Sequence, residues 1–344
     1  MFRTLRALSG PAVLGLLALT GCGTQAAGHT ATPASKPASS GEGISIRATQ
    51  LAHVTDVHEA TGMTLLEGPV LIGDGSLYVV DVTAPPGEPK LISVDVATGK
   101  HEGVYTDKTG AYTSAQISPH DHRVYLTDFA TGSIVSVARD GSQPRTFFSG
   151  DVDGSRMTPD DIAFDDEGNV YVSDAHGTEP DETDGRIVRI DRDGTKTTVL
   201  ADGLAQPNGV MFDPELRGLW ISELSEDTIS YLLLDAGKTA VTSQHEAIHV
   251  DGGLALTDSI AVDADGNLYQ ALHGRPAIAV YSKYGARLAT VEVPAAKSEG
   301  LKSATNVAIA PGGTKAYMTV SGPAGGYVFG FTALAKGIRQ SNGG

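Results

Sequence analysis

Apolar and polar residues alternate along most of this chain in short runs separated by polar turns. The clearest unit is TDSIAVDADGNLY, from Thr257 to Tyr269, in which an alternating strand and an Asp-Gly turn precede a second strand with an aromatic residue. Variants of this hairpin place an aromatic residue at intervals of 46 to 49 residues, at Tyr78, Tyr125, Tyr171, Trp220, Tyr269 and Tyr317. Six copies of one hairpin therefore organise the sequence.

Each copy continues beyond its aromatic residue with a loop, a third strand and, except in the last copy, a turn and a fourth strand. A strand-rich repeat in the forties is typical of a β-propeller with one four-stranded blade per repeat. We therefore predict an all-β, six-bladed β-propeller over residues 46–332. The segment Ala48 to Val57 is predicted to supply the missing outer strand of the last blade and to close the ring. Residues 333–344 are expected to form a frayed C-terminal tail.

The N-terminal segment is typical of an export signal. Arg3 and Arg6 precede an apolar run from Pro11 to Leu19, which is too short to span a bilayer. The run ends in Leu-Thr-Gly-Cys, which resembles a bacterial lipobox. We predict a signal peptide over residues 1–21, a lipidated Cys22 and a flexible linker over residues 22–45 that is rich in Ala, Ser, Thr, Pro and Gly. The alternative is a signal peptide followed by an incidental cysteine.

If Cys22 is lipidated, the protein is exported and held on the outer face of the cell membrane by lipid alone. Cys22 is the single cysteine of the chain, so that no intrachain disulfide is possible. The formal net charge of −16 argues against nucleic acid and against a basic membrane-binding surface. It suits cations, although acidity of this kind also serves solubility alone. We expect a monomer.

The inner strand of each propeller blade lines the central channel, and its first residues point into the channel mouth. Counting back from the six aromatic positions finds a polar residue at each of these starts, a set that we call the axial column: Glu67, Ser114, Asp160, Asn208, Asp258 and Asn306. Crowded oxygen donors of this kind suit a hard divalent cation such as calcium, magnesium or manganese. The alternative is that these strand ends simply collect polar turn residues.

Four segments of this column resemble the metal-site motifs of the senescence marker protein/gluconolactonase family, which are six-bladed, metal-dependent lactonases: Glu67-Gly68-Pro69-Val70, Pro159-Asp160-Asp161, Pro207-Asn208-Gly209-Val210 and Asp258-Ser259. The order of the motifs is most similar to the drug-responsive lactonase branch. The resemblance implies that Glu67, Asn208 and Asp258 bind a catalytic divalent ion, with Asp160 and Ser259 as further ligands. It implies calcium first, with magnesium, manganese or zinc as other ions. By the same resemblance, Asp151 and Asp153 are candidates for a second ion.

The expected reaction is the opening of a lactone or a related ester, with Asp258 as general base and then general acid. Alternatively Asp258 only binds the metal. Six side chains are expected at the rim of the mouth, two of them from the axial column, where they would select the substrate unless they are ordinary loop residues: Ser114, Asp174, His176, Glu223, His273 and Asn306. Two other functions stay open at this point, phosphotriester hydrolysis with a similar ring of residues and a binding propeller without catalysis.

Overall fold

The computed structural model describes residues 43–73, 75–176 and 183–341. The predicted signal peptide, Cys22 and most of the predicted linker therefore lie outside the described residues. Within the described residues, no helix has the length and apolar character needed to span a bilayer. The strands and one short helix account for the regular structure of this part.

The first two strands are β1 (Ile44–Arg47) and β2 (Thr49–Thr55), and six blades follow them in chain order. The first blade consists of β3 (Leu66–Leu71), β4 (Ser76–Asp81), β5 (Pro89–Asp95) and β6 (His101–Thr106), and the second of β7 (Tyr112–Ile117), β8 (Val124–Asp128), β9 (Ser133–Val137) and β10 (Arg145–Ser149). A small hairpin of β11 (Asp151–Val152) and β12 (Ser155–Arg156) follows. The third blade consists of β13 (Pro159–Phe164), β14 (Val170–Asp174), β15 (Gly185–Ile190) and β16 (Thr197–Leu204).

The remaining blades have the same order of strands. The fourth blade consists of β17 (Pro207–Phe212), β18 (Gly218–Glu223), β19 (Thr228–Leu234) and β20 (Val241–His249), and the fifth of β21 (Leu256–Val262), β22 (Leu268–His273), β23 (Ala277–Tyr281) and β24 (Arg287–Glu292). After a 3-10 helix (Ala295–Lys297), the sixth blade contains β25 (Ser303–Ile309), β26 (Lys315–Gly322) and β27 (Gly325–Thr332). Each blade is an antiparallel sheet, and the innermost strands contact one another around a closed ring. The predicted all-β, six-bladed propeller is confirmed.

The six aromatic residues that mark the repeat each pack at a different interface between blades. Tyr78, for example, lies in the cluster between the first and second blades with Val70 and Leu126, and Tyr269 lies between the fifth and sixth blades with Val307. Burying one such side chain contributes roughly 1.5–3 kcal/mol. The repeat in the sequence therefore reflects a repeated packing contact, which explains why the spacing predicted the fold.

The N-terminal strands close the ring. Strand β2 pairs antiparallel with β27, so that it completes the sixth blade as predicted. Strand β1, which the alternation did not predict, adds in parallel to β24 as a fifth strand of the fifth blade. The chain thus joins the last two blades before it enters the first.

The C-terminal segment from residue 333 to residue 341 is packed rather than frayed, which corrects the prediction for these residues. The Ile309 amide donates to the Ser341 carbonyl at 3.0 Å, and the Ala264 amide donates to the Lys336 carbonyl at 2.8 Å. Arg339 and Gln340 share a small cavity with the ends of β7, β13 and β17. Because those strand ends lie opposite the mouth, the segment crosses the far end of the channel.

Candidate metal centre at the channel mouth

All six innermost strands carry a β-bulge at the axial column. The pairing register shifts between Glu67 and Val70 in β3, between Pro159 and Ile162 in β13, and between Thr257 and Ile260 in β21, with equivalent shifts in β7, β17 and β25. A bulge leaves residues outside the regular ladder and re-aims their side chains. The fold therefore releases the backbone from regular pairing at the positions where the column residues face the mouth.

Hydroxyl side chains from the preceding blades hold this irregular backbone in place. Thr127 donates to the Asp160 carbonyl at 2.6 Å, and Ser222 donates to the Asp258 carbonyl at 2.6 Å. Ser173 makes the same bond to the Asn208 carbonyl. All three donors stand two residues after an aromatic position of the repeat. The column is thus positioned by contacts between blades as well as within them.

Three blades bring their column residues into direct contact. Asn208 donates through Nδ2 to Asp160 Oδ2 at 3.0 Å, and its Oδ1 accepts from Ser259 Oγ at 3.4 Å. Asp258 Oδ1 accepts a hydrogen bond from the Ser259 amide at 3.1 Å, and His273 Nδ1 lies 3.4 Å from Asp258 Oδ2. Four of the five predicted metal ligands therefore meet on the third, fourth and fifth blades.

Burial sets the electrostatics of this cluster. It raises the pKa of Asp160 and of Glu67, and the negative charge of Asp258 raises both pKa values further. Burial also raises the pKa of the Asp161 carboxyl group, to about 7. Burial also raises the pKa of Asp258, against the hydrogen bond from His273, while that bond raises the pKa of His273. Four carboxyl groups thus share a poorly solvated site, where each opposes ionisation of the others.

Two buried oxygens of this cluster make no hydrogen bond within the described part of the chain, Glu67 Oε2 and Asp161 Oδ2. Leaving a buried charged acceptor without a partner is costly, so the arrangement favours a cation between the carboxylates. In the described residues, no three His, Cys, Asp or Glu side chains converge tightly enough to form a metal centre by themselves. The donor set of carboxylates, an amide and a hydroxyl nevertheless fits a hard divalent ion.

Comparison with known proteins places this geometry in a family. The family model described as the SMP-30/gluconolactonase/LRE-like region matches residues 65–322, which is most of the chain. The chain belongs to this family. Its match begins beside Glu67 and ends in the sixth blade, so that it includes the complete axial column.

Two relatives of this family member carry lactonase names. The lactonase drp35 of Staphylococcus saprophyticus is 27% identical over 218 residues, which cover 62% of this chain and 66% of the relative. The pentonolactonase XacC of Haloferax volcanii is 28% identical over 227 residues, which cover 62% of this chain and 72% of the relative. The chain thus matches about two thirds of the length of each relative.

Solved structures of the same fold include a calcium-binding protein, regucalcin, from Agrobacterium tumefaciens. It superposes with a TM-score of 0.69 at 16% identity and covers 87% of this chain and 99% of its own. A gluconolactonase from Xanthomonas campestris superposes with a TM-score of 0.66 at 20% identity and covers 83% of this chain and 89% of its own. At these sequence identities, the structural similarity establishes the fold alone.

Two of the predicted rim residues of this family member make structural contacts. Asp174 is 0% exposed and accepts hydrogen bonds from Arg186 Nε at 2.9 Å and from the Thr158 amide at 2.7 Å. Glu223 is likewise buried and accepts from the Ala205 amide at 3.0 Å. Both carboxylates fasten the end of a second strand to the chain segment that enters the inner strand. These bonds give both carboxylates a structural role, and their contact with substrate stays a prediction.

The other rim candidates have separate surroundings. His273 is half exposed and touches Asp258, as a residue at the mouth should. His176 pairs instead with Asp184 at 2.9 Å. Asn306 is buried, and its Oδ1 accepts the Val307 amide at 2.7 Å. Ser114 is also buried and donates to Asp161 Oδ1 at 2.5 Å.

The candidates for a second ion lie apart from this cluster. Asp151 and Asp153 are exposed on the β11–β12 hairpin, and no further acidic or histidine side chains in the described chain join them in a metal-binding group. A second metal ion at this hairpin stays a prediction.

Asp161 is the residue that the column count missed. It follows Asp160 directly, is 1% exposed and lies close enough to Glu67 to raise its pKa. Its signal in the sequence is the Asp-Asp doublet at a predicted strand start. In a regular strand, successive side chains point to opposite faces. The bulge in β13 removes that alternation and allows both residues of the doublet to join one cluster.

Proposed function

We propose that this protein is a divalent-metal-dependent lactonase. The observation that carries the proposal is the buried carboxyl cluster of Glu67, Asp160, Asp161 and Asp258 at the mouth, in which two oxygens make no hydrogen bond to any described residue. Membership of the gluconolactonase-like family and the names of the relatives support the same reaction. A propeller that only bound a partner would gain nothing from such a costly cluster.

Glu67, Asp160, Asn208 and Asp258 would hold the ion, with Ser259 beside them, and their oxygen donors favour calcium over softer metals. When bound, the ion would supply positive charge to polarise the lactone carbonyl and to stabilise the oxyanion that forms on attack. The carboxyl cluster itself keeps this charge at the mouth and out of bulk solvent.

Asp258 is the general base of the proposed reaction. It takes a proton from the attacking water as the new carbon–oxygen bond forms, and it returns a proton to the ring oxygen as the carbon–oxygen bond of the lactone breaks. The product is a hydroxy acid, and no oxidant or reductant takes part. His273, 3.4 Å from Asp258 Oδ2, orients this carboxyl group.

We further propose that the protein acts outside the cell as a lipoprotein attached through Cys22. The apolar run from Pro11 to Leu19 and the Leu-Thr-Gly-Cys sequence support this placement. Replacement of Cys22 by Ser should release the protein from the membrane fraction. A cysteine-free chain that remains in the membrane fraction would contradict the lipid anchor.

The direct test of the function combines metal analysis with a substrate panel. The purified chain is expected to contain a divalent ion, to open simple γ- and δ-lactones, to lose this activity in chelator and to regain it with calcium. Phosphotriesters assayed on the same sample separate the rival hydrolase. If the chain retains no ion and opens neither class of substrate, both hydrolase functions are excluded and a binding propeller without catalysis remains.

A further inference from the structure

A cavity of about 390 Å³ lies beside the proposed reaction site, between the first, fifth and sixth blades. One wall comes from the segment that links β2 to β3 and carries Val57, Met63 and Leu65. Pro323 and Lys302 come from the sixth blade, and most of the accessible surface inside the cavity is apolar. Its size and lining are typical of a site for a small organic molecule.

Two residues that line the cavity connect it to the axial column through their contacts. His273 lines the cavity and lies 3.4 Å from Asp258 Oδ2. Ser321 also lines it, and its hydroxyl accepts the amide of Leu66, the residue before Glu67, at 2.9 Å. A molecule in the cavity is therefore next to His273, the residue that contacts Asp258.

The apolar wall is held in place by polar contacts outside the cavity. The His58 amide donates to the Met63 carbonyl at 3.1 Å, which closes the turn, and His58 Nε2 lies 2.6 Å from Asp81 Oδ2. Thr64 bonds to Thr55 at 2.6 Å. Met63 is nevertheless 56% exposed, which is unusual for a methionine on a well-anchored turn. An anchored turn with an outward methionine is suited to contact an apolar ligand.

A second exposed apolar side chain lies near His273. Leu254 is fully exposed on the turn before β21. Leu256, two residues further on, pairs with His273 between β21 and β22. The Leu254 turn therefore lies near His273 in the same blade. Two exposed apolar side chains near the His273–Asp258 pair, Met63 and Leu254, point to an apolar partner.

On the basis of the proposed function, we infer that the substrate is a lactone with an apolar substituent rather than a polyhydroxylated sugar lactone. The ring lies toward Asp258, and the substituent occupies the cavity against Met63 and Leu65. Met63 is then a specificity-determining residue. Hydroxyl groups on the substituent would lose their water to an apolar wall and bind less well.

The test is a series of γ-lactones with alkyl chains of increasing length, compared with glucono-δ-lactone on the calcium-loaded chain. We expect kcat/KM to rise about two- to fourfold for each methylene group that enters the cavity. Met63→Ser should reduce this dependence of kcat/KM on the length of the alkyl chain. Tyr284→Ser, a change at an even more exposed apolar residue on the β23–β24 turn at the far end, should leave the dependence on chain length unchanged.

A binding measurement separates this inference from the proposed function. Cyclopentanones with the same alkyl chains resemble the lactones but cannot be hydrolysed, and calorimetry gives their affinity for the chain. Chain-length-dependent affinity that Met63→Ser removes would support the apolar cavity even if no lactone were opened. In that case the hydrolase proposal alone would fail.

Two results would overturn the inference. One is hydrolysis of lactones with kcat/KM that is flat or falls with chain length, or that is highest for glucono-δ-lactone. The other is a preference for a lactone with a carboxylate in place of the alkyl chain, since Lys302 would then select an anion. In both cases the lactonase proposal would stand.

Discussion

Buried acidic residues repeat at both ends of this propeller, but their surroundings differ. At the turns far from the mouth, Asp263 is 0% exposed and accepts from the Asp265 amide at 3.0 Å, from Asn267 Nδ2 at 2.9 Å and from the Tyr269 hydroxyl at 2.9 Å. Asp165 makes the equivalent bonds in the third blade. At the mouth, Glu67 Oε2 is buried without any such bond in the described chain.

The difference between the two ends shows how a repeated acidic residue can be assigned. A buried carboxylate whose oxygens all accept hydrogen bonds from the fold is already satisfied, and it stabilises the fold without a ligand. A buried carboxylate with an oxygen that lacks a partner is destabilising unless something binds it. Repetition alone does not separate the two classes, whereas the oxygens of Glu67 and Asp161 that lack a partner in the described residues mark the cluster at the mouth.

The largest expected effect comes from Asp258→Asn at the mouth. Because the amide cannot accept a proton from water, the lactonase rate should fall by about 10²- to 10⁴-fold. The unfolding temperature should stay close to that of the parent, because the two side chains have nearly the same shape. Steady-state kinetics and thermal unfolding measure the two results.

Asp265→Asn is the matched control for this change, since Asp265 is exposed at the far turn. It should affect neither activity nor unfolding. Full activity in Asp258→Asn would rule out the proposed general base and leave Asp258 as a metal ligand only.

The opposite result is expected from Asp263→Ala at the far end. Removal of this carboxylate leaves the Tyr269 hydroxyl, Asn267 Nδ2 and backbone amides without their acceptor. The free energy of unfolding should fall by about 2–4 kcal/mol. Activity per folded molecule should be retained, and denaturant unfolding with parallel kinetics measures both.

A loss of activity in Asp263→Ala at temperatures where the protein stays folded would contradict the division between the two ends. Asp265→Ala, which removes the adjacent exposed carboxylate, should change the free energy of unfolding by no more than about 0.5 kcal/mol.

Metal binding provides a smaller effect that is specific to the mouth. Calcium at about 100 times its dissociation constant should stabilise the chain by about 2.7 kcal/mol. Glu67→Gln removes a proposed ligand and should abolish most of this gain, while in chelator it should leave the unfolding temperature equal or higher because one buried acidic group is lost. Thermal unfolding with and without calcium measures both quantities.

Glu102→Gln is the control for Glu67→Gln, because Glu102 is exposed on β6. It should keep the full stabilisation by calcium. Equal stabilisation of Glu67→Gln and the parent would remove Glu67 from the set of ligands.

The sequence predicted the blades because their signal is local and repeated. Each aromatic position packs at its own interface, so that the spacing from Tyr78 to Tyr317 records the blade count. Strand β1 and the packed C-terminal segment occur once and pair with distant residues. No periodicity marks such contacts, and they became visible only in three dimensions.

The axial column was also predictable, because the count from each aromatic position to the start of the inner strand is almost constant. The roles of Asp174 and Glu223 were not. Their loops do face the mouth, but sequence does not show that Arg186 and the Ala205 amide already occupy the carboxylates. Asp161 was missed for a related reason, since a bulge cannot be inferred from alternation alone.

The smallest expected effect concerns the far end of the channel, at Ser341. Its side chain is fully buried, donates to the Val262 carbonyl and accepts the Ile338 amide at 2.9 Å. Ser341→Ala should lower the free energy of unfolding by about 1 kcal/mol without any change in lactonase activity or in stabilisation by calcium. Lys336→Ala, an exposed change in the same segment that keeps the backbone bond, should have no effect. If Ser341→Ala altered calcium binding, the two ends of the channel would be coupled, and the far end could no longer be treated as purely structural.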